Sequence, residues 1–245
     1  MFDRYRRLLA EVRASYSVEK AREEAHSEFL AAVAYRPLSF WITPCFIMAG
    51  FTADAVTALG FAVALAMPAA ALGLGASGFW PVAGLGLLMQ VLDCVDGNIA
   101  RTTGRFSPVG PMLDGLCSLM FWALYFIAVG ILAQTTALGW TGLHGREIGL
   151  GLAVLQLAQR NMEDSFDEKF HERVRWEPPL PAAFPRWDLK RIGKPLEHVV
   201  AFGGLCVAGA FGAMHVFLGV LAVYQFGLFA LWLPRYVIAV RARSR

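Results

Sequence analysis

The chain has 245 residues, of which 57% are hydrophobic and only 17% charged, and its mean hydropathy is +0.50. That balance is too apolar for an ordinary soluble domain and fits a polytopic membrane protein. The formal net charge of +3 is unremarkable, and nucleic acid is not an expected partner. Cys45, Cys94, Cys117 and Cys206 are scattered without CxxC spacing, which argues against zinc or a disulfide framework. The opening MFDRYRRLLAEVR is charged rather than basic and then apolar, so no cleavable signal peptide is expected.

Residues 1 to about 35 are rich in Arg, Glu and Ala and predict a polar helix with a solvated face, soluble or lying on a membrane surface. They form a first region (1–35) ahead of a membrane domain (36–245). From Arg36 to Gly50, Phe40, Trp41, Ile42, Phe46 and Ile47 with few charges suit an interfacial helix. Thr52 to about Leu74 is long enough to span a bilayer, which takes roughly 20 apolar residues. Asp54 near its start is expected either to cap this helix or to contact a ligand. Gly75 to Gly78 predict a tight turn. A second span runs from about Phe79 to Arg101, and a third from near Ser107 to about Ala133.

A loop with Gly139, Trp140, Gly142 and Gly145 precedes a short fourth span, about Glu147 to Asn161, with a polar end. Arg160 there reads as a snorkelling anchor or as a contact for an acceptor phosphate. Met162 to Leu196 is the longest polar insertion, interrupted by Pro178, Pro179, Pro181 and Pro185 and ending in Arg186, Lys190, Arg191 and Lys194. Its basic end suits lipid headgroups or an anionic acceptor, or serves only as a topology signal. Two closing spans, about Glu197 to Val216 and Phe217 to Val240, lead to a basic tail. His198 and His215 are expected to pack rather than to ligate, and His171 to be solvated. Gly203, Gly204, Gly209 and Gly212 permit close helix contact, within the chain or across a dimer seam.

Lys and Arg concentrate in the N-terminal region, the turn with Arg101 and Arg105, the Met162 to Leu196 insertion and the tail. Six spans with both ends on this basic side satisfy the pattern, and the positive-inside rule makes that side cytoplasmic. The expected fold class is an all-α polytopic membrane protein: six transmembrane helices plus an N-terminal interfacial or amphipathic helix, in a bacterial-type cytoplasmic (inner) membrane.

Within this apolar frame, the stretch from Asp93 to Ser118 concentrates charge. Asp93, Asp96, Gly97, Ala100 and Arg101 fall on one helix face; Gly104 and Pro108 break the helix; Gly110, Asp114 and Ser118 follow four apart on a second. A helical hairpin with these stripes facing each other brings three carboxylates and an arginine together. Aspartates inside a bilayer cost about 3 kcal/mol each and mark functional candidates. Three ionised carboxylates need a cation, and hard oxygen ligands favour Mg²⁺, Mn²⁺ or Ca²⁺ over zinc. Arg101 beside such an ion, with Gly97 and Ala100 letting a ligand approach the backbone, suits a diphosphate. A polar cluster that only fixes packing is the alternative. Cys94 and Cys117 beside the acids are expected to be small packing residues.

These residues resemble the signature of the CDP-alcohol phosphotransferase family, D-x2-D-G-x2-A-R-x8-G-x3-D-x3-D. Asp93, Asp96, Gly97, Ala100, Arg101, Gly110 and Asp114 occupy its fixed places, and Ser118 stands in the last. The segment Arg36 to Phe61 is similar to the one leading into the family's first membrane helix, so the resemblance covers roughly residues 36 to 240. It implies six membrane helices and transfer of a substituted phosphate from a CDP-linked donor to an alcohol, releasing CMP. Asp93, Asp96 and Asp114 would hold the divalent metal, Mg²⁺ or Mn²⁺ with Ca²⁺ as a bound substitute. Gly97 and Ala100 would make room for the cytidine nucleotide, Arg101 would meet the diphosphate, and Thr57 and Asp54 would approach the nucleotide.

Ser118 departs from the family, whose fourth aspartate helps bind metal and is the usual candidate base. A serine has no carboxylate charge and too high a pKa to act unassisted as a base near neutrality. Either the acceptor is already anionic or acidified by metal, or Asp114 substitutes, or the chain binds nucleotide without turning it over. The expected catalytic residues are Asp114, Arg101 and Ser118. The expected partners are a CDP-linked donor (CDP-diacylglycerol or a soluble CDP-alcohol), an alcohol or phospho-alcohol acceptor, membrane lipid and a second copy in a homodimer. A non-catalytic CDP-binding relative and a divalent-cation transporter are the alternatives.

Overall fold

A computed structural model of the chain describes residues 2–27, 31–134, 144–170 and 198–243, and every regular element among them is helical. The polar helix expected over 1–35 is divided into α1 (Phe2–Ala14), α2 (Val18–Ser27) and a π-helical turn (Ala31–Tyr35). Ser17 makes the break, because its Oγ accepts the Lys20 N–H at 3.1 Å and so caps α2. Nor is this region merely solvated: Val12 is fully buried, Glu24 nearly so, and α1 packs on α3 (Arg36–Met48) and α5 (Phe79–Thr103).

Helix α3 ends in a left-handed Gly50, φ +81°. Gly50 N–H donates to Ile47 O at 3.1 Å and Phe51 N–H to Phe46 O at 3.0 Å, while the Phe46 and Phe51 rings meet at 5.1 Å. This is the Schellman ending with its apolar contact. Thr52, not Asp54, caps the next helix, α4 (Ala53–Leu74): its backbone is extended and its Oγ1 accepts the Ala55 N–H at 3.2 Å. Asp54 lies in the first turn instead, where a carboxylate complements the helix dipole.

The Gly75–Gly78 turn folds α5 back along α4. A Cβ on Gly78 would stand 3.1 Å from Ala70 O, a tight contact that favours glycine. Left-handed Gly104 ends α5, and α6 (Gly110–Leu132) returns the chain. Helix α4 packs along both α5 and α6, which touch each other only marginally. The expected hairpin of two facing stripes is therefore a three-helix arrangement with α4 in the middle.

Helix α7 (Gly145–Phe170) runs well past Asn161 and packs against α6. Their backbones nearly touch: a Cβ on Gly130 would lie 2.8 Å from Gly149 Cα, and one on Gly149 would lie 2.6 Å from Phe126 O. A π-helical segment (Val199–Gly204) leads into α8 (Leu205–Ala210), and within it Ala201 O accepts both the Leu205 N–H and the buried Tyr125 hydroxyl, the latter at 2.5 Å. Left-handed Gly212 then turns the chain into α9 (Met214–Arg243), so this boundary falls at 211–213 rather than at Val216. Gly204 receives the Phe217 ring and Gly209 the Phe79 ring, so these two glycines serve packing within the chain. Gln225 on α9 bonds Gln156 and Gln159 on α7.

Three helical stretches are long and apolar enough to cross a membrane: Ala53–Thr103, which is α4 folded back onto α5, then Gly110–Leu132 and Met214–Ile238. Leu65, Leu72, Leu87, Leu88, Val220 and Phe226 face outward from them, as lipid-facing side chains do. The chain is an all-α membrane protein. A count of six crossings requires α7 and the shorter apolar stretch Val199–Ala210 as well. The Gly139 loop, His171, the proline cluster and the basic end of the long insertion lie outside the described residues.

Replacing Gly149 by Ala should force α6 and α7 apart and cost about 1–3 kcal/mol. Gly151→Ala on the same helix meets no atom within 4 Å. Thermal unfolding in detergent should therefore separate the two variants, with only Gly149→Ala lowering the midpoint.

Candidate active site

The start of α4, the last turns of α5 and the start of α6 meet at one end of the bundle. Thr57 on α4 joins them. It is buried, and its Oγ1 donates to Asp96 Oδ2 on α5 at 2.7 Å, with Ala53 O as a second acceptor at 3.2 Å. Its carbonyl receives the Cys117 thiol of α6 at 3.8 Å. Cys94 and Cys117 are both buried, the packing places expected of them.

Asp93, Asp96 and Asp114 all lie within electrostatic range of the Cys117 thiol, and Asp114 within that of Asp96. They thus line one region, with Asp93 and Asp114 exposed and Asp96 half-buried. Among the described residues, the three acids do not form a preassembled metal-binding group of three converging side chains. With α4 lying between α5 and α6 and the Asp96 carboxylate bonded to Thr57, the group is an open one.

The other expected residues fall around this end. Asp54 Oδ1 lies 3.5 Å from where a Gly110 Cβ would stand, so the start of α6 lies beside the first turn of α4. A Cβ on Gly97 would lie 3.0 Å from Arg101 Nη1, so the guanidinium occupies the space that glycine leaves. Ala100 is half-buried, and Ser118 is exposed one turn beyond Asp114.

Sequence reasoning missed the polar network beneath Arg101. Asn98 is fully buried; its Oδ1 accepts from Arg101 Nη2 at 2.8 Å and from Arg36 Nη1 at 3.1 Å. Its Nδ2 donates to Ser39 Oγ at 2.9 Å and Thr43 Oγ1 at 3.3 Å. Arg36 also donates to Cys94 O at 3.0 Å and grips Glu24 through Nε at 3.0 Å and Nη2 at 2.5 Å. The Tyr16 hydroxyl donates to Glu24 Oε2 at 2.7 Å. A signal existed: Arg36, Ser39 and Thr43 make a polar stripe at helical spacing on an otherwise apolar helix.

Burial opposes the Glu24 charge, but Arg36 and the Tyr16 hydroxyl outweigh it and hold the carboxyl below its ordinary value of 4.5. Burial and the neighbouring Glu24 push Tyr16 up to about 12.

An all-α membrane bundle with acids and an arginine gathered at one end defines a membrane-embedded polar site. Residues 50–175, just over half of the chain and including the whole Asp93–Ser118 motif, match the CDP-alcohol phosphatidyltransferase family, and the chain belongs to that family. No curated protein matches it. The family transfers phosphate-linked groups from CDP-alcohols in lipid synthesis and depends on divalent cations.

Because the folded Glu24 carboxyl sits below its unfolded value, its pairing contributes fully above about pH 4.5 and is lost as pH falls through the depressed value. Glu24→Gln should cost about 1.5–3 kcal/mol at neutral pH. It should also flatten the acid-side decline in stability measured by thermal unfolding from pH 7 to pH 3.

Proposed function

We propose that the chain moves a substituted phosphate from a CDP-linked donor to an alcohol or phospho-alcohol, releasing CMP. The motif Asp93–Asp114, set at one bundle end between Thr57 and Arg101, is the observation that supports this reading most. Asp93, Asp96 and Asp114 offer only hard oxygen donors, which suit Mg²⁺ or Mn²⁺, with Ca²⁺ as a substitute. Thr57 would orient Asp96 from behind, as hydrogen-bonded neighbours orient metal-binding carboxylates. The ion, when bound, would neutralise the diphosphate and stabilise departing CMP.

Arg101 would meet the diphosphate, with the nucleotide lying along Gly97 and Ala100 and approached from α4 by Thr57 and Asp54. The acceptor oxygen forms its bond to the β-phosphorus of the donor as the bond from that phosphorus to the CMP oxygen breaks. With Ser118 in the fourth place, Asp114 is left to take the acceptor's proton. The Ser118 hydroxyl, one turn further along α6, would help to orient the acceptor. CDP-diacylglycerol and soluble CDP-alcohols both suit a site at a bundle end, where a lipid enters sideways and a soluble partner from water. The surrounding Lys and Arg support, by the positive-inside rule, a site facing the cytoplasm from a bacterial-type inner membrane. A homodimer is the proposed assembly, supported by the family resemblance alone.

The decisive assay is CMP release from CDP-diacylglycerol and from soluble CDP-alcohols, with Mg²⁺ or Mn²⁺, across a panel of acceptors. Release that needs donor, acceptor and metal together supports a transferase. CDP binding without release for any acceptor identifies a binding relative, for which Ser118 speaks. Metal flux in liposomes that CDP compounds leave unaffected identifies a transporter. Asp114→Asn should lower release by about 10²-fold or more, chelation should abolish it and added Mg²⁺ restore it. Ser118→Asp should raise turnover if the serine limits the reaction, and lower it if the site is tuned to another nucleophile. Thr57→Val should raise the Mg²⁺ concentration needed for half-maximal release by about 10–100-fold.

A further inference from the structure

One buried oxygen in the bundle serves two cations. Asn98 has no exposed surface, and its side chain spends both donors on Ser39 and Thr43 and its oxygen on Arg36 and Arg101. Only one orientation of the amide satisfies all four contacts, since a flipped amide would set its NH₂ against two guanidinium groups that can only donate. Arg101 has a matching need. Among the described residues its guanidinium bonds only Asn98, and its buried Nε has no partner. Two guanidinium groups on one acceptor repel each other, but Glu24 pairs with Arg36 in two-pronged fashion, while among the described residues no carboxylate forms an ion pair with Arg101.

We propose that Asn98, braced through Arg36 by Glu24 of the N-terminal helix α2, is the positioning residue that holds the Arg101 guanidinium for an anionic ligand. This rests on the reading above, in which that ligand is the diphosphate of the CDP-linked donor. The N-terminal region thereby becomes part of the site's framework. Its Glu24 stands two side chains from Arg101, and α1 reinforces the docking where Ser15 and Thr102 hydroxyls meet at 3.2 Å. Asn98 and Arg36 are not catalytic residues; they act through Arg101.

The test is a double-mutant cycle on the full chain in lipid nanodiscs with Mg²⁺, reading CDP affinity by calorimetry. Asn98→Leu should weaken CDP binding about tenfold when Arg101 is present and hardly at all in an Arg101→Gln background, the non-additivity of residues that act as one unit. Loss by the same factor in both backgrounds overturns the proposal. A second readout needs no nucleotide: the rate of phenylglyoxal modification at Arg101, mapped by mass spectrometry against exposed Arg105. Asn98→Leu should raise the Arg101 rate several-fold with Arg105 unchanged, and an unaltered Arg101 rate overturns the proposal. If Asn98→Leu does not fold, Glu24→Gln takes its place. It should weaken CDP binding and quicken Arg101 modification, and wild-type values for both overturn the proposal. Should the wild-type chain bind no CDP, the functional reading fails by itself, while the Arg101 modification rate still decides the positioning.

Discussion

Polar groups enclosed by apolar helices have no water to turn to, so each must find its partner in the chain. The Asn98 amide is where that constraint bears hardest. Buried on α5, it ties α3 to α5 through Ser39 and Thr43, and through Arg36 it reaches Glu24 on α2. An N-terminal segment with little apolar surface of its own is thereby fastened to the membrane bundle. The same amide meets Arg101, so the bond that docks the N-terminal region also orients a residue of the family motif.

A second constraint is distance. Thr57 can reach Asp96 and receive Cys117 only because α4 lies against both α5 and α6. Small residues help where the chain turns from α4 into α5: a Cβ on Gly78 would stand 3.1 Å from Ala70 O and 3.2 Å from Ala71 Cα. On the far side, Gly130 and Gly149 let α6 and α7 approach nearly backbone to backbone. Such contacts replace the hydrophobic driving force that is weak between helices in lipid.

The third constraint is charge. Asp93 and Asp96 on α5 and Asp114 on α6 gather at one end of the bundle, Asp93 and Asp114 exposed and Asp96 bonded to Thr57. Arg101, set one helical turn on, supplies the opposite sign beside them. In the proposed reaction, a diphosphate carrying a divalent ion would present both charges at once.

What the sequence determined by itself was set by local rules. Apolar runs of sufficient length made the helices of the membrane bundle, glycines at 50, 75 and 104 ended elements, and the spacing of Asp93, Asp96, Arg101 and Asp114 revealed the family. Tertiary structure decided the rest. Spacing along one helix cannot tell which third helix lies between two others, so α4 in the middle and the open acidic group were invisible. The cap at Thr52 rather than Asp54 turned on backbone angles. Glu24 looked like any solvated surface acid until the fold set it against Arg36, because a buried ion pair is a property of two distant segments and of the water excluded between them.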